Sequence, residues 1–195
     1  MRVWIGCLAC YNEGRLIGHW FDADEASEVT VGQVHKAGGY RPVDSGLRTP
    51  DAARWSPEGV EPVDLSNHEE LWCFDHDGFG GLIDGECSPS EAARIADLVS
   101  DLDDIEREAL AAYRQHESDS LDADAIDRFR DAFAGGHDSE RDFAEELADD
   151  LGALNPDAGW PAQYIDWDAA ARDLFIDSYW SAHRPGGGVF VFYRV

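Results

Sequence analysis

The chain has 195 residues, 44% of them hydrophobic, which is enough for one medium domain or a few small ones and excludes a disordered polymer. Its 41 Asp and Glu against 15 Lys and Arg leave a formal net charge of -26 at pH 7. That excess disfavours direct binding to nucleic acid or to an anionic membrane, since both repel it over about a Debye length, and it favours a basic protein surface as partner.

No apolar run approaches the ~20 residues of a membrane span, and no basic-then-apolar leader follows Met1, so a cytoplasmic protein is expected. In that compartment Cys7, Cys10, Cys73 and Cys87 would be thiols. Residues 2 to 22 read as a β-hairpin, with Val3, Ile5, Trp20 and Phe21 on either side of a turn at Tyr11-Asn12-Glu13-Gly14. A short helix over about Asp24 to Lys36 is expected to stop at Gly38-Gly39. Residues 38 to 62 collect glycine, serine and Pro50, Pro57 and Pro62, which predicts a long loop.

From Val63 the chain passes through apolar Leu71-Trp72-Cys73-Phe74 and turns at Asp77-Gly78. Ser88-Pro89-Ser90-Glu91 has the form of a capping box with proline at the first helical position. Ile95, Leu98, Val99, Leu102 and Ile105 then recur as the buried face of one helix. A further helix holds Ile126, Phe129 and Phe133 inward and stops at Gly135-Gly136; the next starts at Ser139, buries Phe143, Leu147 and Leu151, and ends at Gly152. A last helix over about Asp166 to Ile176 precedes a closing strand, Val189 to Val195.

Residues 97 to 150 hold 19 Asp and Glu against five Arg, a net of -14, so more than half of the excess charge occupies little more than a quarter of the chain. Asp97, Asp101, Asp104 and Glu108 are spaced as one stripe opposite the apolar face. Asp124, Asp127 and Asp131 repeat the pattern on the next helix, and Asp142, Glu145, Glu146, Asp149 and Asp150 on the one after it. Steps of three or four residues place carboxylates roughly 4.5 to 6 Å apart along a helix axis, an interval comparable with that of phosphates along one DNA strand. Repulsion between such neighbours opposes helix stability, which hints at a use beyond solubility. The bland alternative is that acidic helix faces are simply solvated, as in salt-adapted proteins; Lys36 as the only lysine suits that reading.

Several strings, in order, resemble the ArdA family of antirestriction proteins. They are Tyr11-Asn12-Glu13-Gly14-Arg15-Leu16-Ile17-Gly18-His19-Trp20 near the start and Asp75-His76-Asp77-Gly78-Phe79 in the middle. Toward the end come Phe133-Ala134-Gly135-Gly136, Asp142 to Leu147, Tyr164-Ile165-Asp166-Trp167, Ala171 to Leu174 and Val189-Phe190. The resemblance implies three modules in an elongated arrangement, dimerisation through the last of them, and an acidic surface that occupies the DNA groove of type I restriction-modification enzymes. It implies no chemistry and no cofactor. The loop of residues 38 to 62, with Arg41, Arg48 and Arg54, departs from the pattern.

Competing constellations are weaker. Cys7-Leu8-Ala9-Cys10 has zinc or redox spacing, but positions three apart on a strand face opposite ways; Cys73, His76 and Cys87 could complete four ligands, yet no matching C-x-x-C or H-x-x-x-H pair accompanies them, so the cysteines read as structural thiols. Asp75, Asp77, Gly80, Leu82 and Glu86 fit an EF-hand loop in part, yet Phe79 and Ile83 occupy ligand positions and a strand precedes them. Asp166 reads as a helix-start acid and Arg172 as a partner for Asp168, with no catalytic fingerprint beside them.

The sequence therefore predicts an α+β protein with an N-terminal module (1–62), a central acidic helical module (63–112) and a C-terminal module (113–195). The expected function is stoichiometric inhibition, as a duplex-DNA mimic and homodimer, of a type I restriction-modification methyltransferase complex. The alternative is an acidic salt-adapted enzyme or binding domain. Two chains carry twice 26 negative charges, which at one DNA charge per ~1.7 Å of axis corresponds to roughly 90 Å of duplex. The strand Val189 to Tyr193 and the helix Asp166 to Ile176 are the expected dimer contributors.

Overall fold

The computed structural model describes residues 1–43, 62–117, 120–155 and 159–194. Helices and small sheets alternate in an α+β arrangement, and the chain divides into two compact units, Met1–Asp101 and Leu102–Val195. Among the described residues no helix is long and apolar enough to cross a membrane.

In the first unit β1 (Arg2–Cys7) is the middle strand of an antiparallel sheet, flanked by β2 (Gly18–Asp22) and β5 (Leu71–Asp77). The expected hairpin pairing is present, with Arg2 opposite Asp22 and Gly6 opposite Gly18. Its connection differs from a tight turn. The chain leaves β1 directly into the single-turn helix α1 (Leu8–Asn12), and Gly14, at φ 80°, supplies the left-handed residue that returns it.

Val3, Ile5 and Cys7 alternate into the core, where the helix α3 (Pro89–Leu98) sends down Ala92, Ile95 and Ala96. On the other face the Trp4 ring meets Phe74 edge-on at 5.9 Å and lies over two glycines. A Cβ at Gly18 would stand 2.5 Å from Trp4 Cζ2 and 2.7 Å from the Ile5 carbonyl oxygen. Because the carbonyl belongs to a paired strand and cannot yield, Gly18→Ala is expected to cost about 1–3 kcal/mol. A denaturation midpoint equal to that of the parent chain would contradict this packing.

The helix expected over 24–36 is split into a 3-10 turn (Ala26–Glu28) and α2 (Val31–Ala37), which starts on a complete capping box between Thr30 and Gln33. At the two ends of the expected 38–62 loop, β3 (Arg41–Val43) and β4 (Pro62–Asp64) pair in parallel; residues 44–61, with Arg48, Pro50, Arg54 and Pro57, lie outside the described residues. At α3 the Ser88 hydroxyl accepts from the Glu91 amide at 3.1 Å, but the Glu91 carboxylate turns to Arg94, so only half of that box forms.

The long helix expected through Ile105 is two helices. α3 ends at Leu98, and α4 (Asp104–Glu117) opens on a reciprocal box in which the Asp103 and Glu106 carboxylates each accept the other's backbone N–H, at 2.8 and 2.9 Å. Ile95, Val99 and Leu102 are buried as expected, whereas Ile105 is exposed.

The second unit is a three-layer slab. Its antiparallel sheet has the order β6 (Phe133–His137), β8 (Val189–Tyr193), β7 (Tyr179–His183). One face of β8 presents Phe192, against Phe129 of α5 (Ala123–Ala132), Tyr113 of α4 and Trp180 of β7. The opposite face presents Val191, packed with Phe143 of α6 (Glu140–Asp150), Phe175 of α7 (Trp167–Asp177) and Tyr179. A central strand covered on both faces accounts for an unbroken apolar run such as Val-Phe-Val-Phe-Tyr.

Gly135-Gly136, expected to stop α5, lie within β6, because the chain passes from helix to strand at Phe133 with no loop between. Ser139 and Asp166 cap α6 and α7 as expected. Gly152, at φ 61°, closes α6 with paired N–H bonds from Gly152 to Asp149 O and from Ala153 to Ala148 O. Leu151, expected to be buried, is 72% exposed.

Candidate partner-binding surface

Each acidic helix has a simple local cause. In α5, Ala125, Ile126, Phe129 and Ala132 are buried, so the 3.6-residue period turns Asp124, Asp127 and Asp131 outward, and all three are exposed. In α6 the inward pair Phe143 and Ala144 leaves Asp142, Glu146, Asp149 and Asp150 exposed and Glu145 half-buried. In α4, Ala109, Leu110 and Tyr113 face in, with Asp104 exposed and Glu108 half-buried.

The first expected stripe does not lie on one helix. Asp97 belongs to α3 and Asp101 to the segment after it, whereas Asp104 and Glu108 belong to α4 in the other unit. The signal that marks the break is an Asp103-x-x-Glu106 box, which interrupts the apolar periodicity running through it.

Nor do α5 and α6 share a face. Phe192 and Val191 point to opposite sides of β8, so the helices packed on them present their carboxylates on opposite sides of the slab. The charge thus lies on both broad faces of the second unit.

Among the described residues, several of these carboxylates have basic neighbours. Asp104 meets Arg107, Asp127 meets Arg130 at 3.8 Å and Glu145 meets Arg141 at 2.7 Å, while Glu146 lies 3.1 Å from Nδ1 of the His137 ring. The Glu145 hydrogen bond pushes the Arg141 guanidinium above the ordinary arginine range. The carboxylates of these pairs reach solvent, although Arg107 and His137 are mostly buried, and such solvent-screened pairs contribute little to folding.

Helix α6 carries acidic residues at both ends. Glu140 and Asp142 occupy its first turn, where the helix dipole favours them, and Asp142 also takes the Ser139 hydroxyl at 2.7 Å. Its last turn carries Asp149 and Asp150 with no basic residue, against the same dipole. Glu145 with Asp149 and Glu146 with Asp150 are like-charged i, i+4 neighbours. Local stability selects against both features.

Between α6 and α7 runs a mainly apolar groove of about 440 Å³, lined by Ala144, Leu147, Leu151, Trp167 and Leu174, with Asp173, Asp177 and Ser178 also on its wall. The strand β8, by contrast, has neighbours on both sides, and Phe190, Val191 and Phe192 are fully buried, so it offers no free edge to a second chain.

Asp166 accepts from the Ala169 amide at 3.0 Å as a helix cap. Arg172 lies 3.9 Å from its neighbour Asp173, and Asp168 instead lies 4.0 Å from Arg141. Asp77 ends β5 and pairs with Arg2 at 2.8 Å, which holds its carboxyl below the usual range, and a strand precedes it where an EF-hand requires a helix. Cys73 and Cys87 face each other across an isolated bridge, and burial pushes the Cys73 thiol up to about 12. Cys7 and Cys10 lie elsewhere, beside His35 and His68.

Against known proteins, no match is found among individually curated sequences. A comparison with protein families matches residues 3–186 to the family described as antirestriction protein (ArdA). That span takes in both compact units and nearly the whole chain, so the protein belongs to the ArdA family of antirestriction proteins, which act on restriction-modification enzymes.

Proposed function

We propose that the chain inhibits type I restriction-modification enzymes by standing in for duplex DNA in the basic groove of their methyltransferase complex. Family membership supplies the antirestriction role. The observation that carries the mimicry is Asp149 and Asp150 in the last turn of α6, unneutralised by any basic residue there and set against the helix dipole. Carboxylates retained where folding disfavours them point to an external use.

Charge on both faces of the slab is compatible with this role. A duplex carries phosphates on both strands and around its circumference, so a groove that grips DNA from more than one side meets anionic charge on more than one side. The same distribution, together with a single lysine, also favours the salt-adapted reading. Titration with a purified type I methyltransferase separates the two: mimicry predicts saturable binding at a fixed stoichiometry, and the absence of binding at low salt contradicts it.

The inhibitor acts as a homodimer joined through its C-terminal unit. The support is the groove between α6 and α7, where Leu151 is 72% exposed in a chain otherwise rich in exposed charge. A second copy matches it because a two-fold interface needs one self-complementary apolar patch, whereas the acidic faces repel each other. Sedimentation at micromolar concentration is expected to give a dimer, and Leu151→Arg a monomer. A parent chain that sediments as a monomer contradicts this assembly.

A further inference from the structure

Two cysteines and two histidines from four separate segments converge in the first unit. Cys7 closes β1; because the chain turns into α1 at Leu8, Cys10 returns to the same side, which alternation along a strand would forbid. His35 comes from the last turn of α2, and His68 from the connection between β4 and β5. The Cys7 Sγ lies 3.2 Å from His68 Nδ1, and the Cys10 Sγ lies 3.3 Å from His35 Nε2 and 3.4 Å from His68 Nδ1. All four ligand atoms fall within 4.8 Å of one another. Cys7, Cys10 and His35 are fully buried, and His68 is partly so.

We propose that Cys7, Cys10, His35 and His68 form a structural zinc site. At Zn–S of ~2.3 Å and Zn–N of ~2.05 Å, tetrahedral geometry sets sulfur and nitrogen ligands about 3.5 Å apart, close to the three separations observed. His35 is already oriented for this role. Its Nδ1 donates to the Val31 carbonyl at 2.8 Å, which fixes the proton on Nδ1 and leaves the Nε2 lone pair directed at the cluster. Two thiolates also neutralise a dication, so the filled site carries no net charge into apolar surroundings that include Ile17 and Leu71.

Among the described residues this is the cluster whose Cys, His, Asp and Glu ligand atoms converge in this way, and Cys73 and Cys87 are not in it. A mixed sulfur and nitrogen set of four selects zinc over calcium or magnesium. The ion would pin β1, α1, α2 and the β4–β5 connection together, and would close the stretch of chain from residue 35 to residue 68.

The test uses the full chain, expressed with zinc supplied and assayed for bound metal. About one zinc per chain is expected. Chelation is expected to lower the melting temperature and added zinc to restore it. Replacing zinc by cobalt(II) is expected to give the absorption of tetrahedral cobalt with thiolate-to-metal charge transfer, saturating at one equivalent. Cys10→Ser and His35→Gln are expected to lose most of the bound metal, while Cys73→Ser keeps it. Cobalt bound without thiolate charge transfer, metal lost equally in Cys73→Ser, or a parent chain that binds no metal would each overturn the site. Since the cobalt spectrum is read on the parent chain, the result stands even if a variant fails to fold.

Discussion

Raising the salt concentration from ~50 to ~200 mM is expected to weaken binding to a type I methyltransferase by about ten- to a hundredfold. Proteins that neutralise 6–10 phosphates lose about 10³–10⁵ in affinity over that interval, because condensed counterions are released from DNA at low salt. The carboxylates of α5 and α6 recur at roughly 5 Å along a helix, against one charge per ~1.7 Å of duplex axis. Their lower charge density condenses fewer counterions, so the slope should be shallower than that of DNA with the same enzyme, yet still steep for a protein complex. A change of less than about twofold would mean that the -26 net charge does not drive recognition.

Neutralising the α6 set, Asp142→Asn, Glu145→Gln, Glu146→Gln, Asp149→Asn and Asp150→Asn together, is expected to weaken binding by about five- to a few thousandfold. Each carboxylate contributes on the order of 0.2–1 kcal/mol, and the five act on one partner surface. Stability should move the other way at the end of the helix. Asp149→Asn with Asp150→Asn removes charge from a last turn that holds no basic residue, and it relieves the i, i+4 repulsion with Glu145 and Glu146. That is expected to stabilise α6 by about 0.3–1 kcal/mol per residue.

The opposite signs are the discriminating feature. A salt-adapted protein with no basic partner would gain the same stability and lose no inhibition. The three α5 positions, Asp124, Asp127 and Asp131, serve as the second arm, since they lie on the other side of the sheet. Comparing the two arms shows which face the enzyme contacts.

Local features of the fold were legible from the residues that cause them. Ser139 and Asp166 cap their helices and Gly152 closes α6, because side-chain oxygens at helix starts and left-handed glycine at helix ends act within one turn. The pairing of β1 with β2 was legible for the same reason. The pairing of β1 with β5 joins strands more than sixty residues apart, and nothing local encodes it.

Where two local signals competed, the weaker-looking one prevailed. Apolar spacing through Ile95, Val99 and Leu102 predicted one helix, but the Asp103–Glu106 box started a new one and left Ile105 exposed. Alternation along a strand would separate the thiols of Cys7-x-x-Cys10, but one turn of helix at Leu8 brings them to the same side. Their histidine partners, at 35 and 68, could not be found by spacing, since only the tertiary fold places them there. The acidic residues were legible one helix at a time. Their division between the two faces of the slab depends on Phe192 and Val191 pointing opposite ways from β8.

If inhibitor and DNA occupy the same groove, they compete for the enzyme. A labelled duplex bearing the recognition site is bound to purified type I methyltransferase and titrated with the parent chain. Full displacement at a fixed ratio of inhibitor to enzyme is expected, with an apparent DNA affinity that keeps falling as inhibitor rises and no species containing both. A ternary complex of enzyme, duplex and inhibitor, or inhibition that levels off with DNA still bound, would contradict it.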